Sequence, residues 1–114
     1  MSRPPLEQLR EVLEALAELV QLGRERYDAD RLVRWSIERL WILGGNLAEV
    51  HCQATGMPIG VEPWSELIAE RNVLAHYAPD DITPARLWFD TVSDLTRLQL
   101  QVEQAIRPSD SPTE

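Results

Sequence analysis

Residues 30–52 read DRLVRWSIERLWILGGNLAEVHC and form the longest periodic stretch of the chain. Asp30 or Asp28 can cap the start of a helix here, because an aspartate side chain accepts hydrogen bonds from the free N–H groups of the first turn. Apolar and small residues recur at steps of three and four, the spacing of one helical face. They are Val33, Ile37, Leu40, Trp41, Gly44, Leu47, Ala48 and His51. This pattern predicts one helix of about 25 residues.

Gly44 and Gly45 lie in the middle of this stretch. A glycine inside a helix costs roughly 1 kcal/mol relative to alanine. Either the helix kinks at the pair or another backbone approaches it closely. The apolar pattern keeps its phase across both glycines, which favours a close approach.

Three more amphipathic helices flank this one. The first ends near Gly23 and is followed by a turn over residues 24–29; the third runs from Pro63 towards Pro79, and the fourth starts at Pro84. Residues 54–62 form the longest internal loop. We therefore predict an all-α protein, an antiparallel four-helix up-down bundle, with a single domain over residues 1–107 and a disordered tail over 108–114.

Composition restricts the classes of function. The net charge is −8 with no lysine among the 11 basic residues, and residues 60–114 hold four arginines against ten acids. Such a balance argues against nucleic-acid binding by bulk electrostatic attraction. A single cysteine excludes an internal disulfide, and we expect a cytoplasmic protein because no signal segment or membrane-spanning run appears.

Arg71 is the first anomaly. It follows Trp64, Leu67 and Ile68 at helical spacing, so the repeat places a guanidinium on the stripe that should face the core. Burial of an unpaired cation is costly. Either Arg71 pairs with a carboxylate or extends to solvent, or this part of the stripe faces a second subunit or a substrate cleft.

His76 comes five residues later, near the helix end, where a cation complements the helix dipole. Five positions rotate by about 140° on an ideal helix, so Arg71 and His76 do not share a face. They converge only if the helix end unwinds, if the arginine folds back, or if two copies of the chain pool their side chains. Asn72 lies four residues before His76 and can fix the orientation and tautomer of its ring.

The segment Arg71-Asn-Val-Leu-Ala-His76 resembles the HEPN superfamily, and most closely its HepT-like ribonuclease toxins. The resemblance lies in the Arg-x4-His spacing with Asn directly after Arg, on a helix opened by Pro63-Trp64. It extends to the Ile42–Gly45 segment before the motif and to the Asp81-Ile82 helix entry after it. It covers roughly residues 5 to 107.

The resemblance implies a homodimeric helical bundle in which the Arg and His of both subunits line one cleft and cut RNA without a metal or cofactor. Arg71 and His76 would then be catalytic, with Asn72 in support. His76 would transfer protons at the ribose 2′-hydroxyl or at the leaving oxygen, since histidine exchanges protons near neutral pH. Arg71 would stabilise the charge that develops on the phosphate.

The resemblance also implies a partner, a nucleotidyltransferase antitoxin that silences the toxin by attaching AMP to a tyrosine two residues after the His. Here that position is Ala78, and Tyr77 directly follows His76. Tyr77 is therefore the candidate modification site only if the helix unwinds before Pro79, since one helical step moves a side chain by about 100°.

Other residues carry weaker signals. His51 and Cys52 are too few ligands for a structural zinc site. The tryptophans on the stripes favour packing over base stacking. Glu62, Glu66 and Glu70 recur every four residues, which is typical of a solvated helix face.

Three hypotheses follow. The first is a metal-independent endoribonuclease toxin. The second is a catalytically inactive HEPN-type module that docks on a nucleotidyltransferase or binds a nucleotide, which the acidic charge and the displaced tyrosine favour. The third is a dimeric bundle in which Arg71 serves only the interface.

Overall fold

The computed structural model describes residues 3–78 and 81–107, and within these ranges the chain is helical without strands. The five helices are α1 (Pro5–Gln21), α2 (Arg24–Ala29), α3 (Arg31–Thr55), α4 (Trp64–His76) and α5 (Pro84–Ile106). The all-α prediction is confirmed. The predicted disordered tail lies outside the described residues.

The turn predicted over residues 24–29 is wrong, because these residues form the short helix α2. Six residues are too few for a stable isolated helix, so tertiary contacts must hold it. Tyr27 supplies them, since its ring is buried (1% exposed) and its hydroxyl donates to the carbonyl of Pro84, 2.8 Å away. Helix α2 therefore ties the start of α3 to the start of α5.

Helix α3 is the central element. Its N-cap is Asp30, whose side chain accepts from the amide of Leu32 at 2.9 Å, and its C-cap is Gly56 with a left-handed φ of 75°. It packs against α1 on one side and α4 on the other, while α1 also packs against α5. The helix is unbroken through Gly44 and Gly45, as predicted.

The two central glycines have different neighbours. A Cβ on Gly45 would lie 2.7 Å from the backbone oxygen of Leu67 and would overlap the Cβ of Arg71, contacts that side chains essentially never make. A Cβ on Gly44 would lie 3.6 Å from the nearest atom, on Leu9 of α1, which is ordinary contact. The predicted close approach is confirmed, and Gly45 is the position that allows it.

The core is formed by apolar side chains from all five helices. They are Leu9, Leu13, Leu16, Tyr27, Val33, Ile37, Trp41, Ala48, Cys52, Trp64, Leu67, Leu74, Leu87, Leu95, Leu98 and Val102. One polar pair is enclosed: the indole N–H of Trp41 donates to the hydroxyl of Thr91 at 2.9 Å, and that hydroxyl donates to the carbonyl of Leu87 at 2.7 Å. Each buried polar atom of this chain of bonds is satisfied.

Helices α4 and α5 begin close to the predicted prolines. Helix α4 starts at Trp64 with Pro63 in the N-cap position, and α5 starts at Pro84 after Thr83. Helix α4 ends at His76, and Tyr77 is already extended with φ −116° and ψ 143°. Among the helices of the described ranges, none combines the length and apolar character that crossing a membrane requires.

Candidate active site

Arg71 lies where α4 crosses α3 at Gly45. Its side chain is only 19% exposed. The guanidinium reaches across to the turn of α3 that follows Gly45. There Nη1 donates to Oδ1 of Asn46 at 3.2 Å and to the carboxylate of Glu49.

The Arg71–Glu49 pair answers part of the question that the sequence raised. Of the alternatives for a guanidinium on a core stripe, the structure shows pairing with a carboxylate of the same chain. Asn72 adds to it, since its Oδ1 accepts from Nε at 3.1 Å and from Nη2 at 2.9 Å. All three nitrogens of Arg71 therefore donate to an acceptor.

His76 is the last residue of α4, and it is exposed. Its Nδ1 lies 2.8 Å from the main-chain carbonyl oxygen of Asn72. A carbonyl oxygen can only accept, so Nδ1 carries the proton when the ring is neutral, and Nε2 is left with a free lone pair. The helix end thus selects one tautomer of His76.

Asn72 contacts both candidate catalytic residues. Its side chain bonds to Arg71, and its main chain bonds to His76. The sequence predicted that Asn72 would orient the ring, and it does so through its backbone carbonyl rather than its amide. Among the described residues no hydrogen bond joins Arg71 to His76 directly, in keeping with the 140° between them.

Tyr77 has left the helix. It is extended and 55% exposed, and it lines a cleft between α4 and α5 rather than the Arg71 side of α4. The unwinding that the sequence made a condition for Tyr77 to act as a modification site is present. Ala78 is exposed beside it.

The remaining candidates are structural. His51 packs its ring on Trp64 with centroids 4.6 Å apart, and burial lowers its pKa, which favours the neutral form. Cys52 is buried, and burial raises the pKa of its thiol, which suppresses the reactive thiolate. In the ranges that the structure describes, no cluster of three or more His, Cys, Asp or Glu side chains could hold a metal ion.

Two parts of this region escaped the sequence analysis. Asn46 and Glu49 follow Gly45 by one and four positions, so the close-approach glycine was the signal that could have found them. The predicted solvated face of Glu62, Glu66 and Glu70 is wrong at Glu70, whereas Glu66 lies at the surface but is paired. Glu66 forms a bidentate pair with Arg97 of α5 at 2.8 and 2.6 Å, and Glu70 is half-buried.

Comparison of the chain with protein-family models, with curated proteins and with solved structures finds no match in any of the three. The resemblance to HEPN proteins therefore rests on the residues quoted for it.

Proposed function

We propose that the chain is a metal-independent endoribonuclease that acts as a homodimer, as the toxin of a toxin–antitoxin pair with a nucleotidyltransferase antitoxin. The observation that carries this proposal is the state of His76. Its ring is exposed at a helix end, its tautomer is fixed by Asn72, and the same Asn72 holds Arg71. The Arg-x4-His resemblance supplies the reaction class.

In the proposed reaction Nε2 of one His76 takes the proton of a ribose 2′-hydroxyl. The 2′-oxygen attacks the adjacent phosphorus, and the bond from phosphorus to the 5′-oxygen breaks. The His76 of the second subunit gives a proton to that leaving oxygen. The products are a 2′,3′-cyclic phosphate and a free 5′-hydroxyl, so DNA, which has no 2′-hydroxyl, should resist.

Arg71 would bind the phosphate in this scheme. A guanidinium matches the geometry of phosphate oxygens and stabilises the charge that builds up as the 2′-oxygen attacks. RNA must then compete with Glu49 for Nη1. Glu49 is 36% exposed, so its carboxylate can turn to solvent when a phosphate arrives.

The outer face of α3 supports the homodimer. The outer face is the side of α3 that points away from the core, and it borders grooves shared with α1. Three of its apolar residues are exposed to solvent: Leu32 by 64%, Trp35 by 46% and Val50 by 48%. It consists of Leu32, Trp35, Arg39, Leu43, Asn46 and Val50.

Two further features favour a second copy on this face. Glu18 of α1 and Arg39 of α3 line the same groove, and neither forms an ion pair within the described residues, so a two-fold axis could bring each against the other. Asn46 belongs to the outer face and also binds Arg71. A second copy bound there would reach the Arg71 side of α4. In this proposal α1, α3, α4 and α5 form the antiparallel four-helix bundle of each subunit.

The direct test is cleavage of single-stranded RNA in EDTA by the purified chain and by His76→Ala. Loss of a proton-transfer residue costs on the order of 10²–10⁴ in rate, so the variant should be nearly inactive. Glu49→Gln is the informative companion, because it weakens the competitor for Arg71 and should preserve or raise cleavage. Absence of cleavage by the parent, or equal cleavage by parent and His76→Ala, refutes the nuclease.

The Arg71–Glu49 pair favours a second candidate, the catalytically inactive module that docks on a nucleotidyltransferase or binds a nucleotide. In this reading Arg71 is a structural cation already satisfied by its own chain. Co-expression with a nucleotidyltransferase should yield a stable complex, while expression of the chain alone leaves growth unchanged. Growth arrest that His76→Ala abolishes would reject the module in favour of the toxin.

Tyr77 provides a test of the proposed antitoxin. If the nucleotidyltransferase modifies this chain with AMP, mass spectrometry of digested protein should place the adduct on Tyr77, and Tyr77→Phe should remove it. An adduct on another residue would reject Tyr77 as the site.

A further inference from the structure

A cleft of about 370 Å³ separates the C-terminal half of α4 from the N-terminal half of α5. The two helices are bridged beyond one end of the cleft by the Glu66–Arg97 pair. The walls of the cleft combine aliphatic with charged side chains. They include Val73, Leu74, Ile82 and Leu87, with Glu70, Asp81, Asp90 and Arg86 among the polar groups.

Negative charge in the cleft is incompletely compensated. Among the residues that line the cleft Arg86 is the one cation, and it pairs with Asp90 at 3.3 Å, while neither Glu70 nor Asp81 forms an ion pair within the described residues. Glu70 is half-buried, and its pKa is raised by burial and by the nearby carboxylates of Asp90 and Asp94, which outweigh the opposing charge of Arg86. A carboxylate held in such surroundings gains from any cation that enters.

We infer that this cleft is a docking site for a partner protein that inserts an arginine or lysine side chain between α4 and α5. The aliphatic stem would lie on Val73, Leu74 and Leu87, and the charged head would meet Glu70. Long basic side chains bury their stems on apolar surface in this way while the head keeps its polar contacts.

The charges of the cleft select this occupant over others. RNA phosphates would be repelled by the carboxylates of the cleft. The last seven residues of the chain carry two acids and no base, so the tail has the wrong sign. In the proposed homodimer the second copy lies on the outer face of α3, away from this cleft. A basic segment of another protein complements both the apolar walls and the charge.

The cleft is separate from the candidate active site. Glu70 and Asn72 are two positions apart, which on a helix is a rotation of about 200°, so they occupy nearly opposite faces of α4. The inference therefore stands independently of RNA cleavage. Tyr77 lies in the wall of the cleft, so an occupant would also cover its ring.

The test uses the full chain and a designed helical peptide with leucine and arginine along one face, followed by amide NMR shifts and calorimetry. Shifts should cluster at Tyr77, Ile82 and Leu87. A charge-assisted hydrogen bond is worth about 1.5–3 kcal/mol, so Glu70→Gln should weaken binding on the order of tenfold or more. Glu25→Gln, an equal change of charge on exposed α2, is the matched control and should bind like the parent.

Several outcomes overturn the inference. They are no binding by the parent, equal binding by parent and Glu70→Gln, shifts confined to the outer face of α3, or equal binding of a peptide with every arginine replaced by glutamine. Formation of dimers through the cleft, detected as self-association that Glu70→Gln abolishes, would replace the partner with a second copy and also reject it. Glu70→Gln is nearly isosteric, so loss of the fold should not confuse the result.

Discussion

The two sides of α4 differ in how their charged groups are satisfied. Against α3 the backbones meet at Gly45, and the guanidinium of Arg71 finds Asn46, Glu49 and Asn72 within its own chain. Against α5 the helix leaves a cleft in which the carboxylate of Glu70 forms no ion pair within the described residues, although Arg86 lies in the same cleft. On the side of α3 the chain itself supplies partners for the charged group, whereas on the side of α5 the cleft is open to another molecule.

The largest expected effect comes from adding a methyl group at Gly45, where α3 and α4 are in contact. Gly45→Ala places a methyl group against the backbone of Leu67 and the Cβ of Arg71, and overpacking of this kind costs about 1–3 kcal/mol. Because one contact is to backbone, we expect the upper part of that range, measured by urea denaturation.

Gly44→Ala is the matched control for that variant. Its methyl group meets only ordinary contacts, and alanine is the better helix former by roughly 1 kcal/mol, so stability should stay the same or rise. Equal destabilisation by both variants would show that Gly45 has no special role in the crossing.

A smaller effect is expected from the Arg71–Glu49 ion pair between α4 and α3. Glu49→Ala removes one charged acceptor from a guanidinium that keeps Asn46 and Asn72, so the free energy of unfolding should fall by about 1 kcal/mol. The double variant with Arg71→Ala should cost less than the sum of the two single changes. Simple additivity in this thermodynamic cycle would mean that the pair contributes nothing to the crossing.

On the side of α5 the Glu66–Arg97 ion pair is more exposed than the Arg71–Glu49 pair, with side chains 32% and 42% accessible. Pairs of this kind contribute about 0–1 kcal/mol and are screened by salt. Arg97→Gln should therefore lower the melting temperature slightly, and the difference from the parent should vanish in high salt. A loss comparable to that of Gly45→Ala would show that this pair is a principal link between α4 and α5.

The smallest effect is a gain in stability, expected from Glu70→Gln. The pKa of Glu70 is raised in the folded chain, chiefly by burial, so folding favours the protonated form and ionisation destabilises the fold. Stability from this group is present below the unfolded pKa and is lost as pH rises through the folded pKa. Glu70→Gln should be more stable than the parent near neutral pH, and the difference should disappear in acid. Thermal melts at several pH values measure it.

Periodicity predicted the helical class, the four long helices and the close approach at Gly45, because each depends on spacing along one segment. It missed α2, whose stability comes from the distant contact of Tyr27 with Pro84. In the candidate site, spacing correctly separated the faces of Arg71 and His76. It could not identify Glu49 as the partner of Arg71 or Glu70 as a cleft residue, because both depend on which helix lies opposite α4.

The hydrogen bond between Arg10 and Glu103 bears on the order in which the chain folds. These residues are 93 positions apart, and Nε of Arg10 lies 2.6 Å from the carboxylate of Glu103. Gly45 and Leu67, by contrast, belong to consecutive long helices. Since closing a longer loop costs more entropy, the α3–α4 hairpin should nucleate early and the α1–α5 seam should form last. Partly assembled chains would then leave uncovered the sides of α1 and α5 that meet in this seam.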